Sequence, residues 1–112
     1  MSYFYFKKDT KVETVEVGKC SRRITGYDGK LMTVEVLFEN GCISAAHKHP
    51  HEQITYCLEG KFEFYIGDET KVIEEGDTVY MPPEIMHNCK LISEKGRLLD
   101  IFTPIREDFL SL

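Results

Sequence analysis

The sequence has no long apolar run, no closely paired cysteines and no excess of positive charge. None of its 112 residues belongs to a stretch approaching the roughly 20 apolar residues of a membrane span, so we expect no membrane partner. The 14 basic and 19 acidic residues give a formal net charge of -5. Nucleic acids and anionic membranes call for a basic face, so this balance argues against both as partners.

The cysteines and the N-terminal residues predict a cytoplasmic protein. Four cysteines are scattered without a CxxC pair, which argues against a zinc ribbon: Cys20, Cys42, Cys57 and Cys89. Residues 1–8 alternate aromatic and polar and contain no continuous apolar run, so no export signal is visible. In a chain without such a signal we expect the thiols to stay reduced in the cytoplasm.

What the sequence does contain is a series of short strand patterns separated by turns. We predict strands over 12–17, 31–38, 54–58, 62–66, 71–73, 78–81, 87–92 and 98–102. Turn signals include Asp28-Gly29 and Gly67-Asp68, and Pro82-Pro83 ends a strand because proline cannot donate to a ladder. Helical periodicity is absent until 104–110, which predicts one helical turn. The pattern indicates a single all-β domain over 1–112, closed as a sandwich or barrel.

The aromatic N-terminus has two interpretations. Tyr3, Phe4, Tyr5 and Phe6 form either an edge strand that packs on the chain's own barrel or a strand that joins a second subunit. Small barrels often associate through sheet edges, so we expect a homodimer.

All four histidines lie in two short segments. His47, His49 and His51 occur in HKHPHEQ, and His87 follows a strand bounded by prolines. Residues of equal parity share a strand face, so His47 and His49 point the same way, and a neighbouring antiparallel strand brings His87 close. Gln53 shares that parity.

Three imidazoles and one oxygen donor suit a divalent first-row metal. Two residues keep alternatives open. His51 follows Pro50 and either faces solvent or supports the site, and Glu52 becomes an anionic ligand if the backbone slips by one residue.

The two histidine segments resemble the motifs of the cupin superfamily. Gly41-CISAA-His47-Lys48-His49-PHE-Gln53-ITYCLE-Gly60 fits every spacing of the first motif, with glutamine where an acid is usual. Gly76-DTVYM-Pro82, followed by His87, fits the second, with Glu84 in place of the usual glycine and Leu91 in place of asparagine. The resemblance implies a single-domain cupin, a double-stranded β-helix or jelly-roll barrel, with motifs at 41–60 and 76–91.

A narrower resemblance adds a possible reaction. HPHEQITYCLEG, FEFYIG and the segment LDIFTPIREDFL are similar to the KdgF pectin-degradation cupins. That resemblance implies ring opening or isomerisation of 4,5-unsaturated uronates from pectin or alginate, hence an anionic sugar as the small-molecule substrate. It implies His47, His49, Gln53 and His87 as ligands of one divalent ion (zinc, nickel, manganese, iron or cobalt), and Asp100, Phe102 and Arg106 as pocket residues.

These residues suggest a mechanism, and each pocket residue also has an alternative, purely structural role. Four neutral ligands leave the ion its full double charge as a Lewis acid. Asp100 is expected to move protons, Phe102 to form an apolar wall and Arg106 to bind a carboxylate. The alternatives are a turn cap for Asp100, core packing for Phe102 and a surface ion pair with Glu107 or Asp108 for Arg106. Cys57 lies on the inward parity, where core packing is favoured over a nucleophilic role.

Two rival functions use the same residues. One is a cupin oxygenase (dioxygenase), in which the ligands hold a redox metal. The other is a non-catalytic cupin that binds a sugar or a metal. Enzymatic activity on a uronate is the favoured hypothesis.

Overall fold

A computed structural model describes residues 2–110 as nine strands and two 3-10 turns. The strands are β1 (Val12–Glu16), β2 (Cys20–Asp28), β3 (Leu31–Glu39), β4 (Glu52–Glu59), β5 (Lys61–Ile66), β6 (Glu69–Glu74), β7 (Thr78–Met81), β8 (His87–Leu91) and β9 (Lys95–Thr103). The 3-10 turns span Lys7–Asp9 and Glu107–Phe109, the latter within the predicted 104–110 segment. In the part of the chain described, no helix is long and apolar enough to cross a membrane.

The strands form two antiparallel sheets that enclose the core. One sheet has six strands in the order β1-β2-β3-β9-β4-β7, and the other has three in the order β6-β5-β8. Residues from both sheets pack in one apolar cluster that includes Phe38 and Leu98 from the larger sheet and Phe62, Phe64 and Leu91 from the smaller. A second cluster of Met32, Val34 and Phe102 lies against the C-terminal segment. The predicted all-β jelly roll is confirmed.

Two expectations about the N-terminal third were wrong. Strand β2 was not predicted, because Arg22, Arg23 and Gly26 interrupt the apolar alternation along it. The segment from Tyr3 to Phe6 is not an edge strand, since the first strand begins at Val12. Instead, the Tyr5 hydroxyl donates to the carbonyl of Tyr27 at 2.5 Å, so this segment packs on the outside of the β2–β3 hairpin.

Backbone geometry explains two positions of the motifs. Gly60 has φ +90°, and a Cβ there would meet the Lys95 carbonyl at 2.4 Å, so no larger residue fits. Glu84 has φ +62°, in the left-handed region that favours glycine. This backbone conformation explains why glycine is usual at the position. In this chain Glu84 adopts the strained conformation, and its N–H donates to the His49 carbonyl at 2.8 Å.

Strict alternation along β4 positions the side chains of the interior. Gln53, Thr55 and Cys57 are buried, whereas Glu52, Ile54 and Tyr56 are exposed. Burial at every second residue is the period of a strand with one face on the core. The inner face of β4 thus carries an amide, a hydroxyl and a thiol in a row toward the barrel interior.

Candidate metal centre

Three histidines converge where the first motif pairs with β8. His47 and His87 form an isolated antiparallel bridge, with backbone hydrogen bonds of 3.0 and 2.9 Å in the two directions. One ring nitrogen from each of His47, His49 and His87 lies within 4.8 Å of the others. The expected approach of His87 across neighbouring strands is what the structure shows.

Backbone carbonyls orient all three imidazole rings. The Nδ1 atoms of His47, His49 and His87 lie 2.9, 3.0 and 3.1 Å from the carbonyl oxygens of Ala45, His51 and Ile85, respectively. A carbonyl only accepts, so each Nδ1 carries the proton and donates it. In the neutral ring, Nε2 then keeps its lone pair, which is the form that binds a metal.

A chain of hydrogen bonds fixes the amide of Gln53. Its Nε2 donates to Thr55 Oγ1 at 3.0 Å, and the Thr55 hydroxyl donates to Asp100 Oδ1 at 2.7 Å. Because the NH₂ group faces Thr55, the amide oxygen faces His49, with Oε1 3.0 Å from His49 Nε2. Thr55 has the further effect of joining a candidate ligand to the carboxyl group of Asp100.

Burial favours the neutral form of His49 and His87. It lowers the pKa of His87 to about 4, helped by the neighbouring charges of His47, His49 and Arg106 and opposed by the hydrogen bond to Ile85. Burial likewise lowers the pKa of His49, although Gln53 Oε1, which accepts a hydrogen bond from a protonated His49 Nε2, opposes this. Neutral rings at pH 7 offer their lone pairs to a cation without first losing a proton.

Burial has the opposite effect on the carboxyl group. It raises the pKa of Asp100 to about 6, although hydrogen bonds from Thr55 and Gln53 and the positive charge of Arg106 favour the ionised form. A carboxyl group in that range changes its protonation state readily near neutral pH.

The donor atoms fit a divalent transition metal. His87 Nε2 is buried and has no hydrogen-bond partner among residues 2–110. His49 Nε2 and Gln53 Oε1 face each other as two acceptors once Nδ1 of His49 is protonated. An unpaired buried nitrogen and two facing acceptors are costly unless a cation lies between them, and three imidazoles with one amide oxygen suit such an ion.

The two competing ligands point elsewhere. Glu52 is exposed, and its Oε2 accepts a hydrogen bond from Tyr80 at 2.5 Å on the outer face. His51 is half-buried, with Nε2 3.2 Å from the Ile105 carbonyl and its own carbonyl against His49 Nδ1. His51 therefore links the histidine segment to the C-terminal residues, and Gln53 is the residue of this stretch that faces the histidine cluster.

The three pocket residues lie around the same place, with different contacts. Asp100 lies in the interior of β9 and is not a turn cap. Phe102 is 2% exposed, belongs to the second apolar cluster and packs edge-on to His49 at 5.9 Å, so it is both core and wall. Arg106 is held by Asp108 at 3.0 and 2.7 Å, which is the ion pair named as its alternative. Cys57 packs in the core, where burial raises the pKa of its thiol.

A cavity of about 170 Å³ lies beside these groups, and its lining includes residues that sequence reasoning missed, whereas His49, Phe102 and Arg106 are not part of that lining. His47, Gln53, His87 and Asp100 line it together with Arg22 and Phe109. Thr55 was detectable from its parity with Gln53. Arg22 had no signal, because its strand was not predicted, and Phe109 contributes only through the fold of the C-terminal segment.

Comparison with known proteins places this architecture in a family. A family model described as a cupin domain matches residues 34–102, which include both histidine segments and most of the strands. The chain belongs to the cupin family.

Three similar proteins show how far this likeness extends. The pectin degradation protein KdgF of Dickeya dadantii (strain 3937) is 34% identical over 111 residues, covering 98% of this chain and all of that protein. The structure of KdgF from Halomonas sp. has a TM-score of 0.87 at 30% identity, covering 95% of this chain and 98% of that one. An RmlC-like cupin from Shewanella frigidimarina NCIMB 400 has a TM-score of 0.89 at 33% identity, covering 97% and 96%. The resemblance to KdgF-type cupins is confirmed along nearly the whole chain.

Proposed function

We propose that this cupin is a metal-dependent enzyme that opens the ring of 4,5-unsaturated uronates and yields their linear keto form. The observation that carries the proposal is a cluster of three histidines beside an oriented amide oxygen, at a cavity that His47, His87, Gln53 and Asp100 line. Likeness to a pectin degradation protein over 98% of the chain supports the choice of substrate class.

We assign the metal to Nε2 of His47, His49 and His87 and to Oε1 of Gln53. When bound, a divalent ion would act as a Lewis acid that polarises a substrate oxygen and anchors a carboxylate or hydroxyl group. Because all four donors are neutral, they do not offset its charge. The Thr55 hydroxyl keeps the amide of Gln53 turned toward the ion.

Asp100 supplies the proton transfers. Ring opening removes the proton of the anomeric hydroxyl, breaks the bond between C1 and the ring oxygen, and adds a proton at C4 as the enol becomes a ketone. The isomerisation has no net change in atoms, protons or electrons, so one carboxyl group serves for both transfers. Asp100 is suited to this because it lines the cavity and receives the Thr55 hydroxyl on Oδ1.

Phe102 and Arg106 position the sugar. Phe102 presents an apolar surface next to His49. The Arg106 guanidinium lies 5.2 Å from the centre of the Phe102 ring. Asp108 holds this guanidinium through Nε and Nη2, so Arg106 has Nη1 available for the substrate.

The test is the incubation of metal-loaded protein with unsaturated galacturonate. Ring opening removes the C4=C5 double bond, so ultraviolet absorbance falls without oxygen uptake, and a chelator abolishes the fall. Oxygen consumption with an aromatic or thiol substrate would instead indicate the oxygenase. Tight sugar binding without turnover would indicate a binding protein.

Asp100→Asn separates the proton-transfer role from the metal site. The amide keeps the size of the side chain and still accepts a hydrogen bond from Thr55. We expect unchanged metal content and a loss of turnover of about 100-fold or more. Full activity in the metal-loaded variant would contradict the assignment of Asp100 as the proton-transfer group.

We further propose that residues 1–112 act as one domain that forms a homodimer. Strand β1 is exposed along its whole length at the edge of the six-stranded sheet, and in the segment that precedes it Tyr3 and Phe4 are 83% and 71% exposed. An unpaired edge with neighbouring aromatic residues suits pairing with a second copy. Light scattering during gel filtration tests this, and a monomer at micromolar concentration would contradict it.

A further inference from the structure

Strand β2 places an arginine on the inner wall of the barrel. Cys20 packs against the first apolar cluster and Ile24 against the second, so both face inward. Arg22 lies two residues from each on a regular stretch of strand and therefore shares their face. It lines the same cavity as His47, Gln53, His87 and Asp100.

The guanidinium of Arg22 is only partly compensated. Its Nε is buried and has no hydrogen-bond partner within residues 2–110. On the neighbouring strand β1, Glu13 is directly opposite Arg22, and its Oε2 lies 3.7 Å from Nη2, with the Glu13 side chain 44% exposed. A buried, unpaired donor on a cation is costly, so this geometry favours an anion that enters the cavity.

A second cation shares its aromatic neighbour. The guanidinium carbons of Arg22 and Arg106 lie 3.8 and 4.1 Å from the centre of the Phe109 ring. The ring attracts both cations, which otherwise repel each other. Asp108 holds Arg106 at 2.7 Å, whereas the carboxylate of Glu13 lies 3.7 Å from Arg22. Of the two guanidinium groups, Arg22 has more of its hydrogen-bonding capacity unused.

We propose that Arg22 binds the carboxylate of the sugar acid inside the barrel, with Phe109 holding its guanidinium in place. This inference rests on the proposed function for its substrate class and assigns a binding residue to that same cavity. Arginine is suited to this role because its planar fork donates two parallel hydrogen bonds to a carboxylate. Arg22 is a binding residue, and Asp100 remains the group that moves protons.

The experiment compares two sugars that differ at C6. Metal-loaded protein is titrated calorimetrically with D-galacturonate and with D-galactose, which has a hydroxymethyl group in place of the carboxylate. The variants are Arg22→Met, which keeps an apolar stem, and Arg22→Lys, which keeps the charge without the fork. Arg23→Met is the matched control, because it removes the same charge from the outer face of the same strand. Thermal melting checks that each variant is folded.

We expect the wild type to prefer galacturonate. Arg22→Met should weaken galacturonate binding by about tenfold to a hundredfold and leave galactose binding unchanged, with Arg22→Lys in between. Arg23→Met should keep the preference. With unsaturated galacturonate, Arg22→Met should raise KM more than it lowers kcat.

Several results would overturn the proposal: a wild type without preference, an Arg22→Met variant that keeps the preference, or an equal loss for both sugars. If Arg22→Met does not fold, Arg22→Lys decides the question by the same comparison. The experiment can reject the proposed reaction and the proposed carboxylate site at Arg22 independently of each other. An Arg22-dependent preference without turnover rejects the proposed reaction alone, and normal turnover with unchanged KM in Arg22→Met rejects the carboxylate site alone.

Discussion

The outer face of the six-stranded sheet and the inner face of the barrel, to which both sheets contribute, differ in whether their polar groups are paired. On the outer face, Glu35 receives Arg23 Nε at 3.2 Å and Arg97 Nη1 at 2.6 Å, and Arg97 Nε donates to Glu59 at 2.9 Å. Every charge in this group has a partner. On the inner face and at its mouth, three buried nitrogens lack a partner among the described residues: Arg22 Nε, His51 Nδ1 and His87 Nε2.

This difference separates a stabilising network from a binding site. Neighbouring residues of one strand contribute to both, since Arg22 faces inward and Arg23 outward. A closed network adds to the free energy of unfolding, whereas an incomplete one costs stability until a ligand completes it. The inner face should therefore gain stability when a ligand binds. The outer face should lose stability when acid protonates its carboxylates or when a substitution removes one charged partner.

The largest expected effect is the loss of a histidine from the inner face. His87→Ala should weaken binding of nickel or zinc more than about 100-fold, because it removes a buried ring nitrogen that has no other partner among the described residues. It should also abolish the rise in Tm on metal addition. Calorimetry and thermal melting measure both quantities.

His51→Ala is the matched control for that variant. The His51 ring contacts the Ile105 carbonyl and lies outside the assigned ligand set, so metal should still bind at one equivalent. Metal binding lost in His51→Ala and kept in His87→Ala would contradict the assignment.

A smaller effect is expected when the amide of Gln53 loses its support. Thr55→Val keeps the shape of the side chain and removes the hydroxyl that receives Gln53 and binds Asp100. Metal affinity should fall about tenfold, because the amide oxygen is no longer held toward His49. Thr55→Ser should restore it. If valine and serine behave alike, the hydroxyl does not orient the ligand.

On the outer face, a broken network should cost stability alone. Glu35→Gln removes the carboxylate between Arg23 and Arg97 and should lower the free energy of unfolding by about 1–3 kcal/mol, measured by urea denaturation. Metal affinity should stay within twofold of the wild type. A large change in metal affinity would show that the two faces are coupled.

Acid should weaken the outer network gradually. Burial raises the pKa of Glu35, but hydrogen bonds and charges from Arg97 and Arg23 outweigh this and hold it below its ordinary value. Since the folded pKa is depressed, its stabilising contribution is complete above the pKa of the unfolded carboxyl group and disappears as pH falls through the folded value. Urea midpoints between about pH 6 and pH 3 should fall more steeply for the wild type than for Glu35→Gln. Parallel slopes would contradict this.

Sequence reasoning reached the residues that follow strand periodicity and fixed spacing. Parity and spacing predicted that His47, His49 and His87 meet, because both depend on local geometry, whereas the choice of Gln53 over Glu52 rested mainly on the resemblance to cupins. Glu52 and His51 were resolved only by the structure, since Tyr80 and Ile105, which hold them, are distant in sequence. Arg22 could not be predicted as a site residue for a similar reason. Two charged arginines interrupt the strand pattern around it, and its neighbour Phe109 lies at the other end of the chain.

The central claim is that the inner face is incomplete because it binds a metal through Nε2 of three histidines and Oε1 of Gln53. Anomalous diffraction from crystals grown with nickel tests it most directly. We predict a single strong peak about 2.0–2.3 Å from those four atoms, with each Nδ1 still bound to its carbonyl. A peak on His51 or Glu52, or no peak among the three histidines, would contradict the account.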